Sequence, residues 1–486
     1  MTTQGSSQRT RHAVVMGLGL FGGGVAAARH LVERGWRVLV TDLRGADALR
    51  ASIDALRACG DAIELRLGEH REEDFERAEL VVANPAVDPA NPLLEAARRG
   101  GARITSELEL ALDLVEGRPV VLVTGTQGKT STTTFLHSLL IGAGIPARLG
   151  GNMGRPLLEE VTSLADGEVL CVEVSSYQLE ALPARARRGV RLAIVTNVLV
   201  DHLERHGTPE AYGRAKARVV SLLEPGGLAL LPEAWSRGEA VSEALARGLP
   251  AGDGSEGARG HEAQGRENGT APRRVQTHPP GPPEGTHLEA GGVRFDLESA
   301  SASLGALPRF QLANLGLALE AALELGASPE ALRSALGSLR TPAHRSEVHL
   351  LGGRRIVDNG VCTTPEAALG PVAEQALGST VLLGGRRKQG LSFEELGRLL
   401  ASRGDRVHVF GADRDSVTEE LQAAGAPTAS HATFEEAVDA ALDATPQGGT
   451  LLFSPACASF DTHRNFEERA QAFLDRVRAR DAGTGG

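Results

Sequence analysis

Thr124-Gly-Thr-Gln-Gly-Lys-Thr130 sets a lysine and a hydroxyl directly after a glycine turn, between the apolar run Val120–Thr124 and the helical stretch Ser131–Leu140. Glycines in such a turn let backbone amides approach phosphate oxygens, and the helix N-terminus adds further N–H groups. A lysine there is a point charge for the β- and γ-phosphates of ATP, and the threonine hydroxyl is a ligand for Mg²⁺. The long P-loop form fails, because Val123 stands where its first glycine belongs. The shorter Gly-x-x-Gly-Lys-Thr keeps the working parts, Gly125, Thr126, Gln127, Gly128, Lys129, Thr130 and Ser131. A second glycine set, Gly17-x-Gly19-x-x-Gly22, follows the apolar run Ala13–Met16 and precedes a helical stretch at Val25–Arg34. Asp42 comes about 20 residues later, so the dinucleotide fingerprint stands in its strand–turn–helix context. That geometry serves any nucleoside diphosphate and identifies a pyrophosphate better than a nicotinamide. A dehydrogenase has no use for the second phosphate loop, whereas an ATP-consuming enzyme with a nucleotide substrate uses both.

Lysine occurs only at positions 129, 216 and 388; the rest of the 51 basic residues are arginine. Such a bias replaces lysine wherever positive charge alone suffices. Lysines that remain, unless they survive by chance, do what arginine cannot: sit as a compact charge on phosphate, or offer an amine open to modification.

The elements that must position these residues alternate strand and helix, the pattern of parallel α/β domains. The first stretch adds a strand at Val38–Thr41 and runs to about Thr105. The second adds strands at Val169–Val174 and Leu192–Thr196. The third begins near Thr341, with strands at Arg355–Asp358, Val381–Leu383, Val407–Phe410 and Leu451–Ser454 and helices at Phe393–Ser402 and Phe434–Asp443. Thr433 with Glu436 forms a capping box for the last. The expected domains are therefore 1–105, 106–340 and 341–486. From about Gly252 to Gly285 the chain is Gly, Pro, Arg, Glu and His with almost no large apolar residue, including Pro279-Pro-Gly-Pro-Pro283. It reads as a disordered surface insertion, and His261, His278 and His287 as solvated rather than metal-bound.

The 486 residues are enough for about three domains, each able to bury its own core. A net charge of −11 argues against nucleic acid as a partner. No apolar run approaches the ~18–20 residues that span a bilayer, and the polar start Met1–Arg11 lacks the apolar region of a secretory signal. Cys59, Cys171, Cys362 and Cys457 form no Cys-x-x-Cys pair, which argues against a zinc site or a disulfide frame. A cytoplasmic enzyme acting on small molecules, without membrane partners and monomeric, is the expectation.

The chain resembles the Mur ligases, most closely the branch that adds D-glutamate to UDP-N-acetylmuramoyl-L-alanine. The likeness rests on Gly17–Gly22, Gly125–Thr130, Gly151-Asn-Met-Gly154, Glu173-Val-Ser-Ser-Tyr-Gln-Leu-Glu180, Asn197 with Asp201-His202, Tyr212 to Lys216, Asn314, His344-Arg345 and Ser454-Pro-Ala-Cys-Ala-Ser459, in order over nearly the whole chain. The glycine motifs are generic; the Glu173–Glu180 and Ser454–Ser459 segments are specific to this branch. The resemblance implies a Rossmann-like uridine-nucleotide domain, a central P-loop-type ATPase domain and a C-terminal Rossmann-like amino-acid domain. It also implies an amide ligation through an acyl phosphate, with ATP and Mg²⁺ as cofactors.

By motif match, Lys129 and Thr130 handle the ATP phosphates and a first Mg²⁺, and Glu173 and His202 a second. Lys216 falls where the family carries a carbamylated lysine, an anion that arginine cannot make. Asn314, Arg345 and Asp358 match positions for adenine, phosphate and ribose. Gly19, Leu20, Phe21, Asp42 and Arg44 lie where uridine is held, and Asn152, Ser175 and Gln178 match contacts to the muramoyl-alanine end. Lys388, Ser459 and Phe466 match the glutamate pocket, where a cation and a hydroxyl meet carboxylates.

The match departs after Asp358, where the usual Ser-Lys-Ala-Thr-Asn is replaced by Asn359-Gly-Val-Cys-Thr-Thr364-Pro. Gly360 replaces the lysine and Cys362 the glutamate-contacting threonine; Thr363 or Thr364 can supply the hydroxyl, and Pro365 suits a first helical turn. Gln127 and Gln311 replace asparagines but keep an amide. Ligation of L-glutamate or another amino acid, and a catalytically silent nucleotide binder, are the alternatives.

Overall fold

The computed structural model describes residues 11–19, 22–115, 117–151, 156–183, 185, 187–199, 201–232, 274–278, 287–297, 307–340, 342–388 and 390–483. Three sheets carry the chain. Strands β1 (Arg11–Met16), β2 (Trp36–Asp42), β3 (Ile63–Leu67), β4 (Leu80–Ala83) and β5 (Arg103–Thr105) form a sheet in the order β3-β2-β1-β4-β5. Its pairs are all parallel, with Val15 beside both Val40 and Val82. The order reverses beside β1, so the crevice beyond β1 and β4 is where ligands bind in such sheets.

The second sheet comprises β6 (Val120–Thr124), β7 (Ala147–Gly151), β8 (Val169–Glu173), β9 (Val190–Val195), β10 (Leu228–Pro232) and β11 (Arg274–His278), in the order β11-β10-β9-β6-β8-β7, again all parallel. Every residue of β6 is buried, as its unbroken apolar run requires of a central parallel strand. The helix Lys129–Gly142 that follows buries Phe135, Leu136, Leu139 and Leu140, each worth about 1.5–3 kcal/mol out of water. Strand β11 corrects the reading of 252–285 as wholly disordered: Leu228 to Pro232 pair in register with Arg274 to His278. An edge strand is ordered by its main-chain ladder, which the composition argument overlooked. The rest of that stretch lies outside the described residues. A hairpin of β12 (His287–Ala290) and β13 (Val293–Asp296) follows, so His287 begins a strand rather than lying in a loop.

The third sheet contains β14 (Glu347–Leu351), β15 (Arg354–Asp358), β16 (Thr380–Gly384), β17 (Arg406–Phe410), β18 (Thr428–Ser430) and β19 (Thr450–Phe453), in the order β14-β15-β19-β16-β17-β18. All its pairs are parallel except β14 with β15. The expected capping box is present: Thr433 accepts the Glu436 amide and the Glu436 side chain reaches back to the cap. Pro365 opens the helix Pro365–Ala373, whose cap is Thr364.

The chain divides into two compact units. One holds the first two sheets, the hairpin and Asn314–Ser338; the other holds the third sheet with Ala302–Ala313 and Leu339–Gly486. The division passes inside the helix Arg309–Glu324, between Ala313 and Asn314. Within the first unit one apolar core runs from Ala27 and Leu31 through Leu157 and Val161 to β6 and β9, joining the two sheets. Arg205 ties the same seam by donating to the carbonyls of Ala86 and Val87 at 3.3 and 3.0 Å. Among the described residues no helix is long and apolar enough to cross a membrane.

Candidate active site

The turn after β1 is closed by backbone that only glycine adopts easily. Gly17 has φ +89°, and a Cβ there would lie 2.8 Å from Asn84 Cβ. Asp42, at the end of β2, accepts the Gly19 amide at 3.2 Å and the Arg44 amide at 2.9 Å. Its carboxylate thus fastens the glycine turn to the next loop, which the spacing did not foretell. Leu20, Phe21 and Asn152 lie outside the described residues. Ser175 and Gln178 cap the helix Ser176–Ala181 reciprocally: Gln178 Oε1 accepts the Ser175 amide at 2.9 Å, and Ser175 Oγ accepts the Gln178 amide at 3.2 Å.

The turn after β6 is the densest polar site. Gly128 has φ +81° and caps the helix Lys129–Gly142; a Cβ on it would lie 2.3 Å from Asn314 Oδ1. Asn314 therefore stands against the phosphate loop. Lys129 Nζ donates to the carbonyls of Gly125 and Thr126 at 3.1 and 2.9 Å. Thr130 Oγ1 donates to Glu173 Oε2 at 2.6 Å, joining the helix start to the end of β8. Asn197 holds the Gln127 backbone on both sides, accepting its amide at 2.9 Å and donating to its carbonyl at 3.3 Å. Thr126 Oγ1 accepts from the Leu199 amide and the Tyr212 hydroxyl at 2.9 and 3.2 Å.

Lys216 lies beneath this loop, 1% exposed, and donates to the Gly125 carbonyl at 2.8 Å. Burial, reinforced by the Lys129 charge, holds its amine well below the ordinary lysine value. Its Nζ stands 4.5 Å from the centre of the Tyr212 ring. His202, left-handed at φ 53°, begins the short helix Leu203–His206, and its ring centre is 6.2 Å from that of Tyr212. His202 Nδ1 lies 3.3 Å from the Tyr177 hydroxyl and 3.1 Å from Glu204. Glu173, Thr130, Lys129, Lys216 and Asn314 are thus gathered at one loop, and His202 reaches it through Tyr212.

In the second unit Asp358 is fully buried at the end of β15. Its Oδ1 accepts the Gly360 amide at 2.9 Å, and its Oδ2 lies 2.6 Å from His344 Nδ1, a pairing that raises the imidazole's pKa. The Arg345 carbonyl accepts from Gln311 Nε2 at 3.2 Å. The segment that departs from the family pattern is committed inward: Asn359 Nδ2 donates to Ser454 Oγ at 3.0 Å, Cys362 Sγ to the Thr364 carbonyl at 3.4 Å. Thr364 Oγ1 accepts the Ala367 amide at 3.3 Å as the helix cap. Ser459, 2% exposed, follows a two-way backbone bridge between Arg386 and Ala458. Lys388 is half-buried just beyond Arg386, and Phe466 opens the helix Phe466–Gly483.

Residues 11–106 match the family model of the Mur ligase MurD-like N-terminal domain, and residues 123–248 that of the Mur ligase middle domain. The UDP-N-acetylmuramoylalanine–D-glutamate ligase of Roseiflexus sp. (strain RS-1) is 34% identical over 484 residues, covering 95% of this chain and 97% of that relative. The chain belongs to the Mur ligase family. The ligase of the same name from Anaeromyxobacter dehalogenans (strain 2CP-C) is 35% identical over 96% of both chains. Solved Mur ligases share the fold: the MurF ligase of Thermotoga maritima in complex with ADP (TM-score 0.55, 17% identity, 91% of this chain and 94% of that one) and MurF of Acinetobacter baumannii (0.57, 15%, 96% and 93%).

Two features of this Mur ligase were not singled out from sequence. Asn197 was legible as a motif residue, but its two-sided grip on Gln127 was not. Arg469 gave no signal at all, being one of many arginines, yet it is fully buried and donates to the Cys457 carbonyl.

Proposed function

We infer that this chain is the Mur ligase that joins D-glutamate to UDP-N-acetylmuramoyl-L-alanine at the expense of ATP, in peptidoglycan precursor synthesis. Full-length similarity to ligases of that name carries the reading, and the Lys129–Thr130–Glu173–Lys216 cluster supplies chemistry to match.

In this reading the alanine carboxylate attacks the γ-phosphorus, breaking its bond to ADP and giving an acyl phosphate. The glutamate amine then attacks the acyl carbon; the tetrahedral adduct loses a proton from nitrogen and expels inorganic phosphate, leaving the amide. Lys129 exchanges its two carbonyl partners for β- and γ-phosphate oxygens. Asn314 faces adenine, and Arg345 and Asp358 take phosphate and ribose. The boundaries 1–105, 106–340 and 341–486 fit nucleotide, ATP and amino-acid domains. Gly19, Asp42 and Arg44 serve the uridine end, and Ser175 and Gln178 the muramoyl-alanine end. Lys388, Ser459 and Phe466 hold glutamate, with Thr363 supplying the hydroxyl that Cys362 lacks.

The Thr130 hydroxyl would be a ligand for one Mg²⁺ at the ATP phosphates, and the Glu173 carboxylate with the His202 imidazole would hold a second. Bound there, Mg²⁺ would offset the charge built up as phosphate meets carboxylate. The Lys216 amine is no ligand as it stands, but desolvation favours its neutral form, the form that becomes a carbamate anion. We place the enzyme in the cytoplasm as a monomer. Incubation with UDP-N-acetylmuramoyl-L-alanine, ATP and D-glutamate tests the reading by mass spectrometry: the nucleotide should gain one glutamate less one water. An unchanged nucleotide mass in the presence of ATP and Mg²⁺ would refute it.

A further inference from the structure

Arg469 is the bulkiest fully buried side chain among the described residues, with 0% exposure. Its described hydrogen-bond partners are three backbone carbonyls and no carboxylate: Gly384 at 3.3 Å, Gly360 at 3.4 Å and Cys457 at 3.0 Å. Those carbonyls stand at the end of β16, just past β15 and just past β19, three strands that lie side by side. Nε has no partner among the described residues. A buried guanidinium ordinarily hydrogen-bonds a carboxylate; here Asp461 acts on it only through space, raising its pKa against the effect of burial.

The surrounding backbone is shaped to admit this cation. Gly385 has φ +130°, and a Cβ on it would lie 2.4 Å from the Ala458 carbonyl oxygen and 2.8 Å from Arg469 Nη1. Ala456, directly before Cys457, is held at φ +59°, in the left-handed region that a residue with a Cβ rarely adopts. Burial lowers the Arg469 pKa to about 10, which still leaves it charged at neutral pH. The Arg386–Ala458 bridge lies over it, leading on to Lys388 on one strand end and Ser459 on the other.

We propose that Arg469 is the fixed cation of the amino-acid pocket, a positioning residue that braces the ends of β15, β16 and β19 and whose charge, held on carbonyls rather than on a carboxylate, favours an incoming amino acid with two carboxylates. The inference rests on the reading of Lys388, Ser459 and Phe466 as that pocket. Field from a buried charge is weakly screened, so it acts without contact.

The test compares competition by glutamate and by glutamine, which differ by one negative charge, in the wild type, Arg469→Met, Arg469→Lys and Lys388→Ala. In Arg469→Met the preference for glutamate over glutamine should fall about tenfold, with the KM values for ATP and the UDP substrate within twofold. Arg469→Lys, which keeps the charge but spans fewer carbonyls, should retain the preference within about threefold, and it carries the test if the methionine variant does not fold. An Arg469→Met enzyme that keeps the wild-type preference would overturn the proposal, as would an Arg469→Lys enzyme that loses it. Lys388→Ala separates the underlying reading: if it leaves glutamate affinity unchanged, the pocket itself is misplaced, whereas a weakened Lys388→Ala beside an unaltered Arg469→Met refutes the role of Arg469 alone.

Discussion

The phosphate loop of the first unit and the strand ends around Arg469 in the second both rest cations on backbone carbonyls. Lys129 and Lys216 share the Gly125 carbonyl, while Arg469 binds those of Gly360, Gly384 and Cys457. In each a carboxylate works against burial, Asp201 and Glu173 on Lys216 and Asp461 on Arg469. They differ in how the cation is held: each lysine makes one or two carbonyl bonds among those described, whereas Arg469 is fixed by three. A cation with alternative partners can change them during a reaction; one locked into three carbonyls can only lend its field. On the proposed reading, the first region exchanges ligands and the second selects one.

The largest effect that would sharpen this contrast is at Lys216. Lys216→Ala should reduce turnover by about 10³-fold or more, with partial recovery on adding a short carboxylate such as acetate; full activity without any added acid would remove Lys216 from the site. Gly128→Ala comes next. A Cβ at φ +81° pressed on Asn314 should weaken ATP binding about tenfold, a strain of about 1–2 kcal/mol, while leaving the KM for glutamate alone. An unchanged KM for ATP would show that the loop tolerates a shape it should not.

How far the sequence revealed these two regions follows the same division. A phosphate loop is made of contiguous residues at fixed spacing, so Gly125 to Ser131 could be read directly, and Glu173 followed from its motif. The proposed amino-acid pocket draws on the ends of β15, β16 and β19, which are separated by many residues and adjacent only after folding. Lys388 and Ser459 were legible by resemblance and Arg469 was not, because nothing local distinguishes one arginine from its many neighbours. Strand β11 escaped for another reason: edge pairing orders a backbone without needing the apolar side chains that composition looks for. The double use of Ser175 and Gln178 as a capping box was readable in their spacing but was overshadowed by their motif role.

Within the departed segment, the two threonines separate selection from stability. Thr363→Val should raise the KM for glutamate about fivefold to tenfold, the loss of one hydrogen bond of ordinary net strength, about 1 kcal/mol, with little change in melting temperature. Thr364→Val should do the reverse, costing about 1 kcal/mol of stability through the lost helix cap. Exchange of these two outcomes would assign the pocket hydroxyl to Thr364.

Glu107 gives the smallest effect on turnover but a clear pH signature. It accepts the Leu158 amide at 2.7 Å, and burial raises its pKa to about 7. Because its folded pKa lies above the unfolded value, its favourable contribution is complete below about pH 4.5 and is lost as pH rises through 7. Unfolding free energy should therefore fall by about 2–3 kcal/mol across that window from this group. Glu107→Gln should remove that part of the slope, as read by denaturant titration at pH 4.5 and 8; a slope unchanged by the substitution would place the carboxyl in a wetter setting.

The central claim is that the phosphate loop and the altered amino-acid pocket together perform one ligation. Phosphate release from ATP, measured with UDP-N-acetylmuramoyl-L-alanine and with D-glutamate, L-glutamate or no amino acid, tests it most directly. Release that depends on D-glutamate is the predicted result. Release with L-glutamate alone would keep the chemistry of the loop but reverse the stereochemistry of the pocket, and no amino-acid-dependent release would contradict the account.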